Sequence, residues 1–154
     1  MTSIIEDTRQ KENKHAAKHK YWNEAHVDVI RSALKFGDYI KVPKVAVDTK
    51  ENIQEIGGNM CGNAKEKKRF AEECKRSRDF GCKLIFLIED SRYKEITDLY
   101  ETEIYLHNGM VIPGEQLATA MFTMQERYGC RFMFCDPKDA GRIIVELLET
   151  EESG

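Results

Sequence analysis

Three residues with the chemistry of a catalytic site lie close together near position 40. They belong to Gly37-Asp38-Tyr39 and Asp48-Thr49-Lys50, and nine residues separate the two aspartates. The chain between the two aspartates predicts two short strands, 38–42 and 44–48, bent at Pro43 into a hairpin. In an antiparallel pair, the start of one strand faces the end of the other, so the two carboxylates converge. Lys50 follows Asp48 by two residues and therefore leaves the strand on the same face.

Two converging carboxylates repel each other unless a positive charge lies between them. A hard divalent cation such as Mg²⁺ binds oxygen ligands of this kind. Lys50 beside such an ion could orient or deprotonate a water, or stabilise charge on a phosphate. The arrangement suits metal-assisted hydrolysis of a phosphodiester. The spacing by itself is equally compatible with the solvated end of a hairpin, so this pattern leaves both interpretations open.

The composition sets limits on the kind of protein that carries these residues. The chain has 154 residues, of which 41% are hydrophobic and 33% are charged, which is typical of one globular domain and unlike a disordered chain. Its longest apolar run, Leu84–Ile88, is too short for a membrane helix, and residues 1–7 do not resemble a signal peptide. Five cysteines without a Cys-x-x-Cys pair indicate reduced core thiols rather than disulfides or zinc, and so predict a cytoplasmic protein.

The charges are divided unevenly along the chain. Residues 1–83 contain 18 basic and 13 acidic side chains, whereas residues 84–154 contain 6 and 14. A basic first part is suited to a polyanion such as a nucleic acid, and an acidic second part is not. Charge alone also fits two ordinary solvated surfaces.

Hydrophobic spacing predicts alternating strands and helices, and hence an α/β sandwich with a mixed central sheet. A strand over 3–6 precedes a long helix over 14–35, which Gly37 would end, and then the hairpin. A helical turn and a flexible loop are expected over 51–63. The remaining predicted elements are a helix over 64–80, a buried strand over 83–89, an irregular segment over 90–110 with a strand near 104–106, a helix over 114–128, a strand over 131–135 and a helix over 138–149.

The order of motifs resembles the XPF-type structure-specific endonucleases, within the PD-(D/E)xK nuclease superfamily. The family's Asp-x-Arg-Glu motif corresponds to residues 7–10, where Gln10 replaces the Glu. The family's Gly-Asp-Tyr motif corresponds to residues 37–39. The family's Glu-Arg-Lys-x-x-x-Asp motif corresponds to residues 48–54, where Asp48 replaces the Glu, Thr49 the Arg and Gln54 the final Asp. A helix containing Lys68-Arg69-Phe70, an apolar strand ending in Ile88-Glu89, and the helix and strand over 124–135 complete a resemblance that spans residues 3–149.

This resemblance implies a restriction-endonuclease-like α/β/α sandwich and a metal-dependent endodeoxyribonuclease, acting at branched or flapped DNA in repair or recombination. Asp38 and Asp48 would then hold Mg²⁺ or Mn²⁺, with the Thr49 backbone carbonyl as an extra ligand, and Lys50 would position the water. It also implies a homodimer formed through residues 114–149. No helix-hairpin-helix module is recognised, so we expect a single domain over residues 1–154.

The departures keep two other functions open. Thr49 lacks the positive charge of the family's arginine, and Gln10 and Gln54 each replace a carboxylate. One alternative is therefore a catalytically degenerate DNA-binding module of the same fold. The other is an α/β domain that regulates or binds other proteins without contacting nucleic acid.

Several further residues are candidates for the site. Asp7 is either an additional acid beside the metal or a cap at the end of its strand. Glu89 either holds Lys50 or the metal environment, or simply ends its strand. The DNA-binding candidates are Arg9, Lys65, Lys67, Lys68 and Arg69, and for each a solvated surface role is the alternative.

The basic helix generates a testable prediction. Reversing Lys67, Lys68 and Arg69 to Glu is expected to weaken binding to every DNA sequence alike and to flatten its salt dependence, because backbone contacts release counterions and carry no base information. Fluorescence anisotropy of a labelled branched duplex at several salt concentrations measures both. Equal affinity and slope in the two proteins would identify this helix as an ordinary solvated surface.

Overall fold

A computed structural model describes residues 3–7, 15–25, 28–32, 37–41 and 45–152 of the chain. The strands are β1 (Ser3–Asp7), β2 (Asp28–Ser32), β3 (Tyr39–Lys41), β4 (Val45–Lys50), β5 (Lys83–Ile88), β6 (Glu103–Tyr105), β7 (Val111–Pro113) and β8 (Arg131–Phe134). The helices are α1 (Ala16–Glu24), α2 (Ile53–Cys61), α3 (Ala64–Phe80), α4 (Gly114–Tyr128) and α5 (Ala140–Glu152), with short 3₁₀ turns at Ile96–Leu99 and Pro137–Asp139.

Six strands form one mixed sheet in the order β2-β1-β3-β4-β5-β8, and β6 pairs with β7 in a separate small sheet. β3 is antiparallel to both of its neighbours, β1 and β4, whereas β1–β2, β4–β5 and β5–β8 are parallel. The predicted hairpin of strands before and after Pro43 is therefore confirmed, although residues 42–44 lie outside the described part of the chain.

Helices cover both faces of the large sheet. Phe86 and Ile88 of β5 pack with side chains of α2, α3 and α4, whereas Ile85 and Leu87 pack with side chains of α1 and α5. Because β5 is buried on both faces, every position from Leu84 to Ile88 is apolar. The result is the α/β/α sandwich with a mixed central sheet that the sequence predicts.

The predicted helix over 14–35 is wrong in its second part. α1 ends at Glu24, and Asp28–Ser32 is a strand that pairs in parallel with β1. This segment contains the β-branched residues Val29 and Ile30, which suit a strand, and pairing with β1 overrides the helix-like spacing of its apolar residues. Residues 33–36 lie outside the described ranges, and Gly37 leads into β3 rather than ending a helix.

Over 51–63 the predicted helical turn is present but the predicted flexible loop after it is wrong, because one helix, α2, continues to Cys61. Asn52 caps α2 by accepting a hydrogen bond from the Glu55 N–H at 2.9 Å. Gly57 lies in the interior of this helix, where an added Cβ would come within 2.9 Å of Leu106. The glycine that suggested a loop therefore allows close packing of α2 against the segment that follows β6.

Strand β7 was not predicted.

The five cysteines are buried and free, as expected for reduced core thiols. Within the described ranges, no helix is long and apolar enough to cross a membrane.

The aromatic stack of Phe70, Phe86 and Phe132 leads to one prediction about stability. Phe70 stacks on Phe86 with ring centroids 4.7 Å apart, and Phe86 stacks on Phe132 at 5.1 Å. Phe70→Ala is expected to lower the free energy of unfolding by about 3–5 kcal/mol, because it leaves a cavity in this stack. The matched control on the same helix is Phe80→Ala, since Phe80 is 69% exposed. Urea unfolding measures both, and a small loss for Phe70→Ala would contradict its role in the core.

Candidate active site

The register of the sheet places three aspartates on neighbouring strands. Tyr39 faces Val47 across β3 and β4, and the N–H of the preceding Asp38 also donates to the Val47 carbonyl, at 2.8 Å. Asp38 therefore lies directly before β3, beside the part of β4 that contains Asp48. On the other side of β3, Glu6 faces Tyr39, and the Asp7 N–H donates to the Asp38 carbonyl. Asp7 on β1, Asp48 on β4 and Asp38 directly before β3 therefore lie at the same end of three neighbouring strands.

Thr49 holds the side chain of Asp38. One carboxylate oxygen, Oδ2, accepts hydrogen bonds from the Thr49 N–H at 2.6 Å and from its hydroxyl at 2.9 Å. Burial, together with the nearby charge of Asp48, nevertheless raises the pKa of Asp38 from 3.8 to about 7, although Thr49 and Lys50 oppose the shift. Near neutral pH this buried carboxyl group is thus close to its protonation midpoint.

Asp48 and Lys50 form an ion pair on the face of β4 that packs against α3. Oδ1 of Asp48 lies 3.3 Å from Nζ of Lys50, and both side chains are largely buried. Burial raises the pKa of Asp48, and the charge of Lys50 opposes this shift. Burial disfavours the charged form of Lys50, but the carboxylates of Asp48 and Glu73 outweigh it and hold the pKa of Lys50 above its ordinary value. Lys50 is therefore an ammonium, which orients and stabilises negative charge rather than accepting a proton.

Glu73 of α3 also belongs to this site, and our sequence reasoning missed it. The Gly37 N–H donates to Oε2 of Glu73 at 2.8 Å, and the nearby Glu73 carboxylate adds to the rise in the pKa of Asp48. The sequence contains a signal for it. Phe70, Cys74 and Ser77 mark the buried face of α3, and Glu73 lies three residues after Phe70, on that same face. A carboxylate on the core side of a helix requires a polar partner inside the protein.

Glu89 does not bind the side chain of Lys50, contrary to one of the two roles considered for it. Its carboxylate pairs with Lys18 of α1 at 2.9 Å, and only its backbone N–H contacts Lys50, donating to the Lys50 carbonyl at 2.8 Å. Burial raises the pKa of Glu89, and Lys18 opposes this shift. Lys18 in turn lies 2.9 Å from Nδ1 of His15. This network ties α1 to the end of β5.

The candidate DNA-binding residues are exposed where they are described. Lys65, Lys67, Lys68 and Arg69 are all exposed on the first turns of α3. Arg69 approaches Glu66 at 3.7 Å, and both side chains remain accessible to solvent. Arg9 and the neighbouring Gln10 lie outside the described residues.

Comparison with known proteins fits this fold. The similar solved structures include two of XPF from Aeropyrum pernix. The first has a TM-score of 0.65 at 20% sequence identity, covering 97% of this chain. The second, a complex with DNA, has a TM-score of 0.66 at 19% identity, covering 99% of this chain. Our chain spans 65% and 66% of the length of those chains. At these identities the likeness establishes the fold, which is that of an XPF-type nuclease domain.

The family follows from the sequence pattern itself. The pattern of the ERCC4 domain matches residues 7–147, and the chain therefore belongs to the ERCC4 domain family. The resemblance to XPF-type nuclease domains is confirmed. No protein with a curated description matches the chain.

The raised pKa of Asp38 predicts how stability depends on pH. Because the folded-state pKa, about 7, lies above the unfolded value of 3.8, Asp38 contributes stability below pH 4 that is lost as the pH rises through 7. In EDTA at pH 8, Asp38→Asn is expected to increase the free energy of unfolding by roughly 2–4 kcal/mol. The gain should vanish near pH 4. Urea unfolding at both pH values measures it, with the exposed Asp79→Asn as control. A variant less stable than the original at pH 8 would contradict the burial cost assigned to Asp38.

Proposed function

We propose that the protein is a metal-dependent DNA endonuclease that hydrolyses phosphodiester bonds, with branched or flapped DNA as its substrate. The observation that carries the proposal is that Asp38, whose N–H bonds to the Val47 carbonyl, lies beside Asp48 of β4, with Lys50 paired to Asp48 at 3.3 Å. Family membership adds to it, because one of the similar XPF structures is a complex with DNA.

The donor atoms at the site suit a hard divalent cation. Asp38 and Asp48 would hold Mg²⁺ or Mn²⁺, with the Thr49 carbonyl as a further ligand, as expected from the sequence. Mg²⁺ commonly uses one or two carboxylates and completes its coordination with waters and substrate phosphate. In the part of the chain that the structure describes, no group of three or more His, Cys, Asp and Glu side chains could hold a metal ion. Two carboxylates with backbone, water and phosphate oxygens are therefore the arrangement proposed.

Each residue then has a definite task. A divalent ion, when bound, neutralises the carboxylates and polarises the phosphate. The Lys50 ammonium orients the attacking water and stabilises charge that develops on the phosphate oxygens. Thr49 fixes the orientation of Asp38 through its two hydrogen bonds. Asp7, buried on the adjacent strand, is proposed to support this group of acids.

The basic surface of α3 is proposed to follow the DNA backbone. Lys65, Lys67, Lys68 and Arg69 are exposed, and Glu73, on the buried face of the same helix, contacts Gly37. The helix therefore connects the proposed DNA contacts with the carboxylates. Arg9 is proposed as an additional phosphate contact, and residues 114–149 as the surface of a homodimer.

A second candidate function is a DNA-binding module that does not cleave. The contacts within the site favour it, because Lys50 is already paired with Asp48, and Oδ2 of Asp38 already accepts two hydrogen bonds from Thr49. Under this interpretation the wild-type protein binds branched DNA and leaves it intact with Mg²⁺ or Mn²⁺.

Asp48→Asn tests the first candidate. The variant is expected to lose cleavage of a labelled branched duplex by at least about a hundredfold, because a neutral amide binds a divalent cation poorly. Mn²⁺ affinity, measured by electron paramagnetic resonance, should fall in parallel, and circular dichroism should show a folded protein. Asp79→Asn, on an exposed part of α3, serves as the matched control. Normal cleavage by Asp48→Asn would remove this residue from the reaction, whereas DNA binding without cleavage by the original protein would support the second candidate.

A further inference from the structure

The loop after β5 contains an arginine whose guanidinium group is fixed on two sides. Nε of Arg92 donates to Oδ1 of Asp90 at 2.8 Å, and Nη2 donates to Oδ2 at 2.6 Å. Nη2 also donates to Oε1 of Gln54 at 3.0 Å. Among the residues that the structure describes, none accepts a hydrogen bond from Nη1, and the side chain is 55% exposed. Asp90 and Gln54 therefore hold the guanidinium in one orientation and leave its third nitrogen to solvent.

Asp90 is itself firmly placed. It is buried, and its Oδ2 accepts a hydrogen bond from the Ile53 N–H at 3.0 Å at the start of α2. The backbone N–H of Arg92 adds a bond to Oδ1 at 3.2 Å. A buried carboxylate with these partners is a rigid support, so little conformational entropy remains for Arg92 to lose when it binds a ligand.

This arginine lies at the same end of the sheet as the proposed active site. The Glu89 N–H, directly before Asp90, donates to the carbonyl of Lys50 at 2.8 Å. Gln54, which contacts Arg92, lies only four residues after Lys50 and in the first turn of α2. The ends of β4 and β5 thus bring Arg92 beside the strand that carries Asp48 and Lys50.

The ligand that suits such a group is a phosphate. A guanidinium binds phosphate oxygens through directed N–H bonds, and prior orientation strengthens this contact. Glu51 and Glu55 lie on the adjacent turn, so their charges disfavour attraction of a polyanion over long range. Arg92 is therefore suited to a short-range contact formed after the DNA has bound elsewhere.

We propose that Arg92 contacts a backbone phosphate of DNA bound at this site, with Asp90 and Gln54 as the residues that position it. The proposal rests on the proposed function. It adds a phosphate contact in the loop after β5, which is a different element of the fold from α3, where the other phosphate contacts are proposed.

The test compares three variants by fluorescence anisotropy of a fluorescein-labelled branched duplex, with Ca²⁺ replacing Mg²⁺. Arg92→Gln is expected to lower the affinity roughly tenfold. It should also reduce the slope of log affinity against log salt by about 0.9, the value for one phosphate contact. Arg92→Lys, which keeps the charge but not the planar fork, should restore the slope and recover only part of the affinity. The control is Lys20→Gln on α1, since Lys20 is exposed and lies outside the surfaces proposed to contact DNA or a second copy of the chain.

Melting temperatures separate contact from folding. Arg92→Gln could unfold in the assay because Asp90 loses its partner, and in that case Arg92→Lys provides the comparison. If Arg92→Lys has the melting temperature of the original protein but a clearly lower affinity for DNA, the result supports the contact. Equal affinities for the original protein and the folded Arg92 variant would overturn the inference alone, as would an equal loss in Lys20→Gln. Absence of DNA binding by the original protein would overturn the proposed function together with it.

Discussion

The electrostatic cost of keeping Asp38 and Asp48 close together governs the rest of this site. The antiparallel register of β3 and β4 fixes their positions, and burial removes the water that would screen them. The chain offsets this cost with two kinds of contact: two hydrogen bonds from Thr49 to Asp38, and an ion pair of Lys50 with Asp48. Buried charges without such partners would be lost by protonation or would destabilise the fold.

The opposite face of the sheet contains a second set of buried charges. Glu89 pairs with Lys18, and the fully buried Glu6 lies 2.9 Å from Nε2 of His19. Both contacts attach α1, a short helix with few apolar residues, to the central strands. Removing one member of such a pair generally lowers the free energy of unfolding by more than the intact pair contributes to it, because the remaining charge stays buried without a partner. The polar network therefore determines where α1 lies, in addition to the packing of Trp22.

The sequence predicts best those features that local pattern determines. The hairpin with Asp38 and Asp48 was predictable because it joins strands that are neighbours in the sequence. Strand β5 and helix α3 were predictable because the spacing of their apolar residues is typical of a buried strand and of an amphipathic helix. The segment 28–32 was not, because its residues fit a helix face and a strand equally well and only its pairing with β1 decides. Gly57 and Gly58 suggested a loop, although Gly57 serves close packing inside α2. Glu73 and Arg92 were missed because their partners, Gly37, Gln54 and Asp90, are identified only when the chain has folded.

Gly37 has a consequence for how copies of this domain can diverge. Its φ of 72° is unfavourable for other residues, an added Cβ would lie 3.2 Å from the Ala46 Cβ, and its N–H is bound to Glu73. These constraints come from the backbone and from packing, and they persist whether or not the neighbouring carboxylates are used. A relative that lacks the aspartates at positions 38 and 48 is still under selection to retain this glycine. In a family alignment, an invariant glycine here would report the path of the chain, and only positions 38, 48 and 50 would separate copies that retain the acidic site from copies that have lost it.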